Sequence, residues 1–248
     1  MKNADLNEKN IYLIYSMGKV GCTTIYRSFE KEFPSADVFR VHFLSDNYLD
    51  NILPSRHKSF HNNITLGKNI LSHIAKNPES RIKIITMTRE PVERAISDLF
   101  QNWEHLYDDI ENVPFNVLKQ RIESLNHNYT LNWFDVEFKE YLNFDIYKHH
   151  FSIDRGYEIY SFGKYDILCM KLEKLDSIAD LAFDEFLGQK INLSNRNSSQ
   201  HKKGKDAYSF LKSQVKIDKD VLMNVYNSKY VRKFYSKNEI DGFVDKWA

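Results

Sequence analysis

The alternation of short apolar strands with amphipathic helices predicts an α/β fold, a parallel sheet flanked by helices. Three observations carry that prediction. Four apolar runs rich in Ile, Val, Phe and Tyr, at Ile11–Ser16, Asp37–Phe43, Ile82–Thr88 and Asp166–Lys171, have the length and composition of strands buried on both faces. Helical spacing follows the first run at Thr23–Glu32 and the third at Pro91–Leu106. With 8 Gly and 5 Pro in 248 residues, punctuation is too sparse for a linker, and no repeat or low-complexity tract divides the chain. One domain spanning residues 1–248 is the economical expectation.

Taken in order, the first strand runs into a glycine-bearing turn and then a helix, the pattern of a βα unit. The second ends in Val41-His42-Phe43-Leu44-Ser45. The third ends at Thr88-Arg89-Glu90-Pro91, where Pro91 suits the first turn of a helix because its missing N–H has no partner to lose there. Further helical spacing lies at Val117–Leu125, Leu131–Leu142, Ile178–Leu187 and Lys219–Phe234. The stretch 107–142 reads as a helical insertion that covers the sheet edge or a substrate cleft.

Composition excludes several functions. Lys plus Arg number 35 and Asp plus Glu 34, a net charge of +1, so no global basic excess exists to hold nucleic acid or an anionic membrane. Any anion site must be local. Hydrophobic residues make up 42% and aromatics 14%, ample for a large core. Two cysteines, Cys22 and Cys169, form no disulfide framework and no zinc pattern, which fits a reducing compartment. The polar start and the short run Ile11–Met17 offer neither a signal peptide nor a transmembrane segment, so a cytoplasmic location is expected. Oligomeric state leaves no mark in the sequence.

The first turn reads Gly18-Lys19-Val20-Gly21-Cys22-Thr23-Thr24. Glycines let backbone N–H groups converge on an anion, a helix N-terminus adds about half a positive charge, and Lys19 with the Thr hydroxyls supplies further donors. This is chemistry for a phosphate. It is not the nucleoside-triphosphatase loop, whose lysine follows its second glycine, since here Lys19 precedes Gly21. Farther on, Arg89 stands at a strand's carboxyl end, where open α/β sheets bind ligands, and Ser97 lies eight residues later in the next helix. Arg94 lies between them, able to touch a nucleotide or to pair with Glu90 along the helix.

Lys-x-Gly-x-Thr after the first strand, followed by Arg-x-Pro-x-x-Arg-x-x-Ser after a later one, resembles sulfotransferases that use 3′-phosphoadenosine 5′-phosphosulfate (PAPS). Phe100-Gln101-Asn102, Leu131–Glu137, Phe144–Tyr147 and Phe234-Tyr235-Ser236-x-x-Glu239-Ile240 to Trp247 are similar to the bacterial capsular polysaccharide synthesis family of sulfotransferase-like proteins. The resemblance implies a P-loop-like, three-layer α/β/α fold. It further implies transfer of a sulfuryl group from PAPS to a hydroxyl of a carbohydrate, a capsular or cell-surface polysaccharide or its precursor, leaving adenosine 3′,5′-bisphosphate and requiring no metal. On that reading residues 18–24 hold the 5′-phosphosulfate and Arg89 with Ser97 the 3′-phosphate. Cys22 stands where Ser or Thr is usual, replacing a hydroxyl by a weaker thiol donor.

Such a transfer needs a base, a line of attack and donors for charge growing on the leaving oxygen. Lys19 can supply the last. His42, at the end of the second strand, and Glu137, on a helical face with Trp133, are the two candidate bases. The basic segment Gln200–Tyr208 is placed like the loop with which sulfotransferases close over the nucleotide, with Lys205 and Tyr208 as the contacts. Two other functions remain open on sequence: a sugar or small-molecule kinase, and a nucleotide-binding component of polysaccharide assembly without turnover.

Overall fold

The computed structural model describes residues 10–46, 58–106, 113–193 and 213–248. Lys205 and Tyr208 lie outside the described residues, as does part of the expected insertion. The chain folds as two compact units, the first from the described residues up to Thr88 and from Phe134 to 193, the second from Arg89–Trp133 and 213–248.

The first unit is built on a five-stranded sheet: β1 (Asn10–Tyr15), β2 (Asp37–Val41), β3 (Arg81–Thr88), β4 (Tyr157–Phe162) and β5 (Tyr165–Lys171), in spatial order β2-β1-β3-β5-β4. The four expected strands all pair in parallel. The sheet is nevertheless mixed, because β4 adds to β5 antiparallel through a two-residue turn. Gly163 takes φ +53° in that turn, a conformation natural to glycine. The half-exposed, half-polar β4 sequence lacks the continuous apolar signal of its neighbours, which is why the sequence conceals this edge strand.

Helices cover both faces. Successive strand side chains alternate sides, and Tyr12 stacks on Phe33 and meets Phe29 of the helix Cys22–Glu32, which in turn touches Phe183 of the helix Leu175–Leu187. Tyr15, on the opposite face, stacks on Phe138, and Phe39 meets His73 of the helix Lys58–Lys76. The last helix went unforeseen in the sequence between the second and third strands.

Topology places the first loop. From β1 the chain goes outward to β2 and then back across β1 to β3, so the winding reverses between β1 and β3. Ligands bind outside the strands' carboxyl ends at such a reversal, and the loop after β1 sits there.

The second unit is helical in its described residues: Pro91–Leu106, Phe115–Glu123, Asn128–Trp133, Lys219–Tyr226, Lys229–Phe234 and Lys237–Trp247. The single helix expected over Lys219–Phe234 is two, because Ser228 caps a fresh start by accepting from the Val231 N–H. Ser236 and Glu239 form a reciprocal capping box that starts the final helix. No described helix is long and apolar enough to cross a membrane.

Candidate functional site

The loop after β1 is bent by two left-handed residues, Lys19 at φ +73° and Gly21 at φ +84°. For glycine that geometry is cheap; for lysine it costs on the order of 1 kcal/mol, a strain of the kind that gathers at functional sites. Gly21 is doubly constrained, since a Cβ there would stand 2.9 Å from Leu172 Cδ1. Gly21→Ala should therefore lower stability by roughly 1–2 kcal/mol, seen as a drop in thermal midpoint. A change under a few tenths would mean that the left-handed turn is not held in solution. Gly18 has no such neighbour.

Gly21 is also the N-cap of the helix Cys22–Glu32, whose start carries no side-chain cap and whose first turn contains no acid. Its leading N–H groups and dipole thus face the loop without a carboxylate to neutralise them. Val20 is buried, and Thr24 is half-buried. Cys22 is buried as well; burial pushes its thiol pKa up while the charges of Arg40 and Lys19 pull it down. The thiol is packed inward, so what Cys22 offers an anion is its backbone N–H. Thr23 is exposed, and its Oγ1 accepts a 2.5 Å hydrogen bond from Arg40 Nη1.

His42 follows β2 and its Nδ1 lies 2.6 Å from the carbonyl oxygen of Ser16, at the root of the loop. A carbonyl can only accept, so in the neutral ring Nδ1 carries the proton and Nε2 the lone pair. That is the tautomer a proton acceptor needs.

Glu137 sits in a π-helical segment, Phe134–Lys139, a rare winding that often accompanies functional sites. Its side chain is fully buried, with Oε2 accepting from Tyr15 Oη, Leu44 N at 2.7 Å and Ser45 N at 3.1 Å, and Oε1 from Ser45 Oγ at 2.8 Å. Burial raises its pKa to about 6, and these four donors restrain the rise. A carboxylate so enclosed acts as a fastener, holding the segment that follows His42 to the end of β1.

The second expected phosphate pair belongs to the second unit. Arg89 has its backbone clasped by Tyr230, whose hydroxyl accepts from the Arg89 N–H and donates to its carbonyl, each at 3.0 Å. Its guanidinium pairs with Glu93 at 3.3 Å, and Lys246 of the last helix pairs with the same carboxylate. Ser97 is half-buried one turn beyond Glu93. Arg94 is only 4% exposed, pairs with Asp98 at 3.0 Å and lies 4.6 Å from the Tyr129 ring centroid.

Glu90 is the anchor of this unit. Its carboxylate caps the helix that Pro91 begins, accepting from Val92 N and Glu93 N at 2.7 Å each, and it also accepts from Tyr226 Oη at 2.8 Å and Trp247 Nε1 at 3.3 Å. Burial drives its pKa up to about 7.

Three of these participants escaped the sequence. Arg40 hides inside a strand, Glu90 reads as an exposed acid beside a proline, and Ser45 as a loop polar. Only the capping position of Glu90, directly before Pro91, could have flagged one of them.

The family model described as Putative capsular polysaccharide synthesis protein matches residues 109–236, just over half of the chain. Glu137 lies within the matched stretch, whereas the first loop, His42 and Arg89 precede it. No curated protein matches the chain. No solved structure matches it either. Because the family match covers more than half of the chain, the protein belongs to the family described as Putative capsular polysaccharide synthesis protein.

Proposed function

We propose that the chain is a cytoplasmic sulfotransferase of the three-layer α/β/α type, moving a sulfuryl group from PAPS to a carbohydrate hydroxyl of a capsular or cell-surface polysaccharide or its precursor. The observation that carries this reading is the loop at the winding reversal. There the left-handed Lys19 and an uncapped, acid-free helix start lie beside a histidine whose tautomer is fixed by Ser16. Family membership supports the polysaccharide context.

In this reading His42 Nε2 takes the acceptor's hydroxyl proton as the acceptor oxygen bonds to sulfur and the bond from sulfur to the bridging oxygen breaks. Lys19 and the backbone N–H groups of residues 18–24 stabilise the charge left on the 5′-phosphate. Glu137 keeps His42 in place through Leu44 and Ser45. The resemblance further assigns the 3′-phosphate to Arg89 and Ser97 and a nucleotide contact to Lys205 and Tyr208.

Isothermal titration tests the donor assignment. Adenosine 3′,5′-bisphosphate should bind without magnesium at least ~10-fold more tightly than 5′-AMP, and Arg89→Ala should abolish that preference. Equal binding of the two nucleotides by the wild-type protein would sink the sulfotransferase reading. A nucleotide-binding component without turnover would pass this titration and show no sulfate transfer when carbohydrate acceptors are supplied with the donor.

A further inference from the structure

We infer that the helical unit carries a carbohydrate-binding subsite, in which His127 Nδ1 accepts a hydrogen bond from a hydroxyl of an uncharged sugar beside the ion pair of Arg94 with Asp98; the ligand class rests on the carbohydrate context proposed above.

His127 stands just before the helix Asn128–Trp133 and is only 7% exposed. The Pro91 carbonyl hydrogen-bonds to its ring, while the buried Nδ1 has no partner among the described residues. A carbonyl only accepts, so Nε2 carries the proton and Nδ1 a lone pair. Burial, helped by the charge of Arg94 and opposed by the Pro91 bond, pushes the imidazole pKa down and keeps that lone pair bare at neutral pH. An acceptor buried without a donor is costly to leave so. Among the described residues of the helical unit it is the one buried side-chain nitrogen or oxygen left in that state, whereas a structural water ordinarily collects two to four polar partners.

Its neighbours decide what can donate. The buried Arg94 lies close enough for its charge to act on His127; its guanidinium donates to Thr130 Oγ1 at 3.4 Å, pairs with Asp98 and lies over the Tyr129 ring. A metal ion or an ammonium would enter against that positive charge. An anion would meet the Nδ1 lone pair and the Asp98 carboxylate. What suits is a neutral donor, and a sugar hydroxyl is one that can also accept. Asp98 is 40% exposed and Tyr129 half-buried, so the cluster meets solvent along that rim. There a second hydroxyl finds the carboxylate, and the C–H face of the sugar finds apolar ring surface. His127, Tyr129 and Thr130 all fall in the stretch matched by the family model.

The probes are the methyl glycosides of glucose, galactose and mannose, added to the full chain and followed by titration and by histidine nitrogen NMR. At least one should bind with a Kd on the order of 1 mM, shift the His127 Nδ1 resonance and leave the proton on Nε2. His127→Phe keeps the bulk of the ring without the acceptor and should weaken that glycoside ~3–10-fold. Circular dichroism shows whether the variant is folded; where it is not, the Nδ1 response of the wild-type protein decides. A glycoside that binds folded His127→Phe as tightly as wild type overturns the inference. So does an Nδ1 resonance that no glycoside moves, which leaves an ordered water as the donor, and so does one moved by inorganic phosphate alone. Adenosine 3′,5′-bisphosphate and 5′-AMP, titrated alongside, read the donor assignment independently. Glycoside binding at His127 without preference for the bisphosphate sustains the subsite and sinks the sulfotransferase reading; the converse sinks the subsite alone, and failure of both overturns both.

Discussion

On the sulfotransferase function proposed above, Lys19→Ala is expected to lower the rate of sulfuryl transfer by ~10²–10³-fold, about 3–4 kcal/mol of transition-state stabilisation. The reason is differential: the ammonium counts most when charge has moved onto the leaving phosphate oxygen, so kcat falls while affinity for adenosine 3′,5′-bisphosphate changes far less. Alanine at φ +73° carries backbone strain like that of lysine, so the substitution tests the side chain and not the turn. Lys19→Gly, which relieves the strain, should be equally slow although more stable. Single-turnover kinetics separates chemistry from binding. Near-normal turnover in both variants would show that the loop does not carry the leaving-group charge.

The largest effect on stability is expected at Glu90. Glu90→Ala strands the Val92 and Glu93 N–H groups, the Tyr226 hydroxyl and the Trp247 indole N–H together, and should cost on the order of 3–5 kcal/mol. Glu90→Gln keeps the volume and one accepting oxygen but turns an NH₂ toward donors, and should cost less. The two differ from wild type in pH dependence as well. The Glu90 pKa rises from 4.5 to about 7, so the folded state holds this proton more tightly than the unfolded chain. Its stabilising contribution is complete below pH ~4.5 and is lost as pH climbs through about 7, on the order of 3 kcal/mol in all. Glu137, raised to about 6, tilts the curve in the same direction over a narrower window. Urea denaturation of wild type and Glu90→Gln between pH 5 and pH 8 reads the difference. The wild-type curve should fall with pH and that of Glu90→Gln should be visibly flatter; parallel curves would mean that Glu90 is ionised in the folded protein throughout.

The parallel strands were legible because their signal is local. Ile82–Thr88 and Asp166–Lys171 announce themselves within a few residues by apolar side chains on both faces, and Asp37–Phe43 by its Val and Phe residues; the observed ends of β2 and β5 differ from the expected ones by one or two positions. The loop was legible for the same reason, since Lys19 and Gly21 lie within six residues of both a strand and a helix. The strand β4 was not, because Glu158 and Ser161 break its Tyr157–Phe162 sequence and leave no continuous apolar run. Nor was the break at Asn227–Ser228, where apolar spacing continues across the gap and only the Ser228 cap interrupts it.

The candidate site divides along the same line. Sequence alone determined that a glycine- and lysine-bearing turn follows the first strand, that a histidine follows the second and an arginine the third, because turn chemistry and strand ends are written in neighbouring residues. Tertiary structure decided what those groups can do. Glu137 meets Ser45 across 92 positions, Glu90 meets Trp247 across 157, and Arg40 reaches Thr23 only because β2 lies beside β1 in a fixed register. A side chain's proton affinity and the direction of its hydrogen bonds depend on burial and on partners brought together by folding, and neither is encoded in the spacing of residues along the chain.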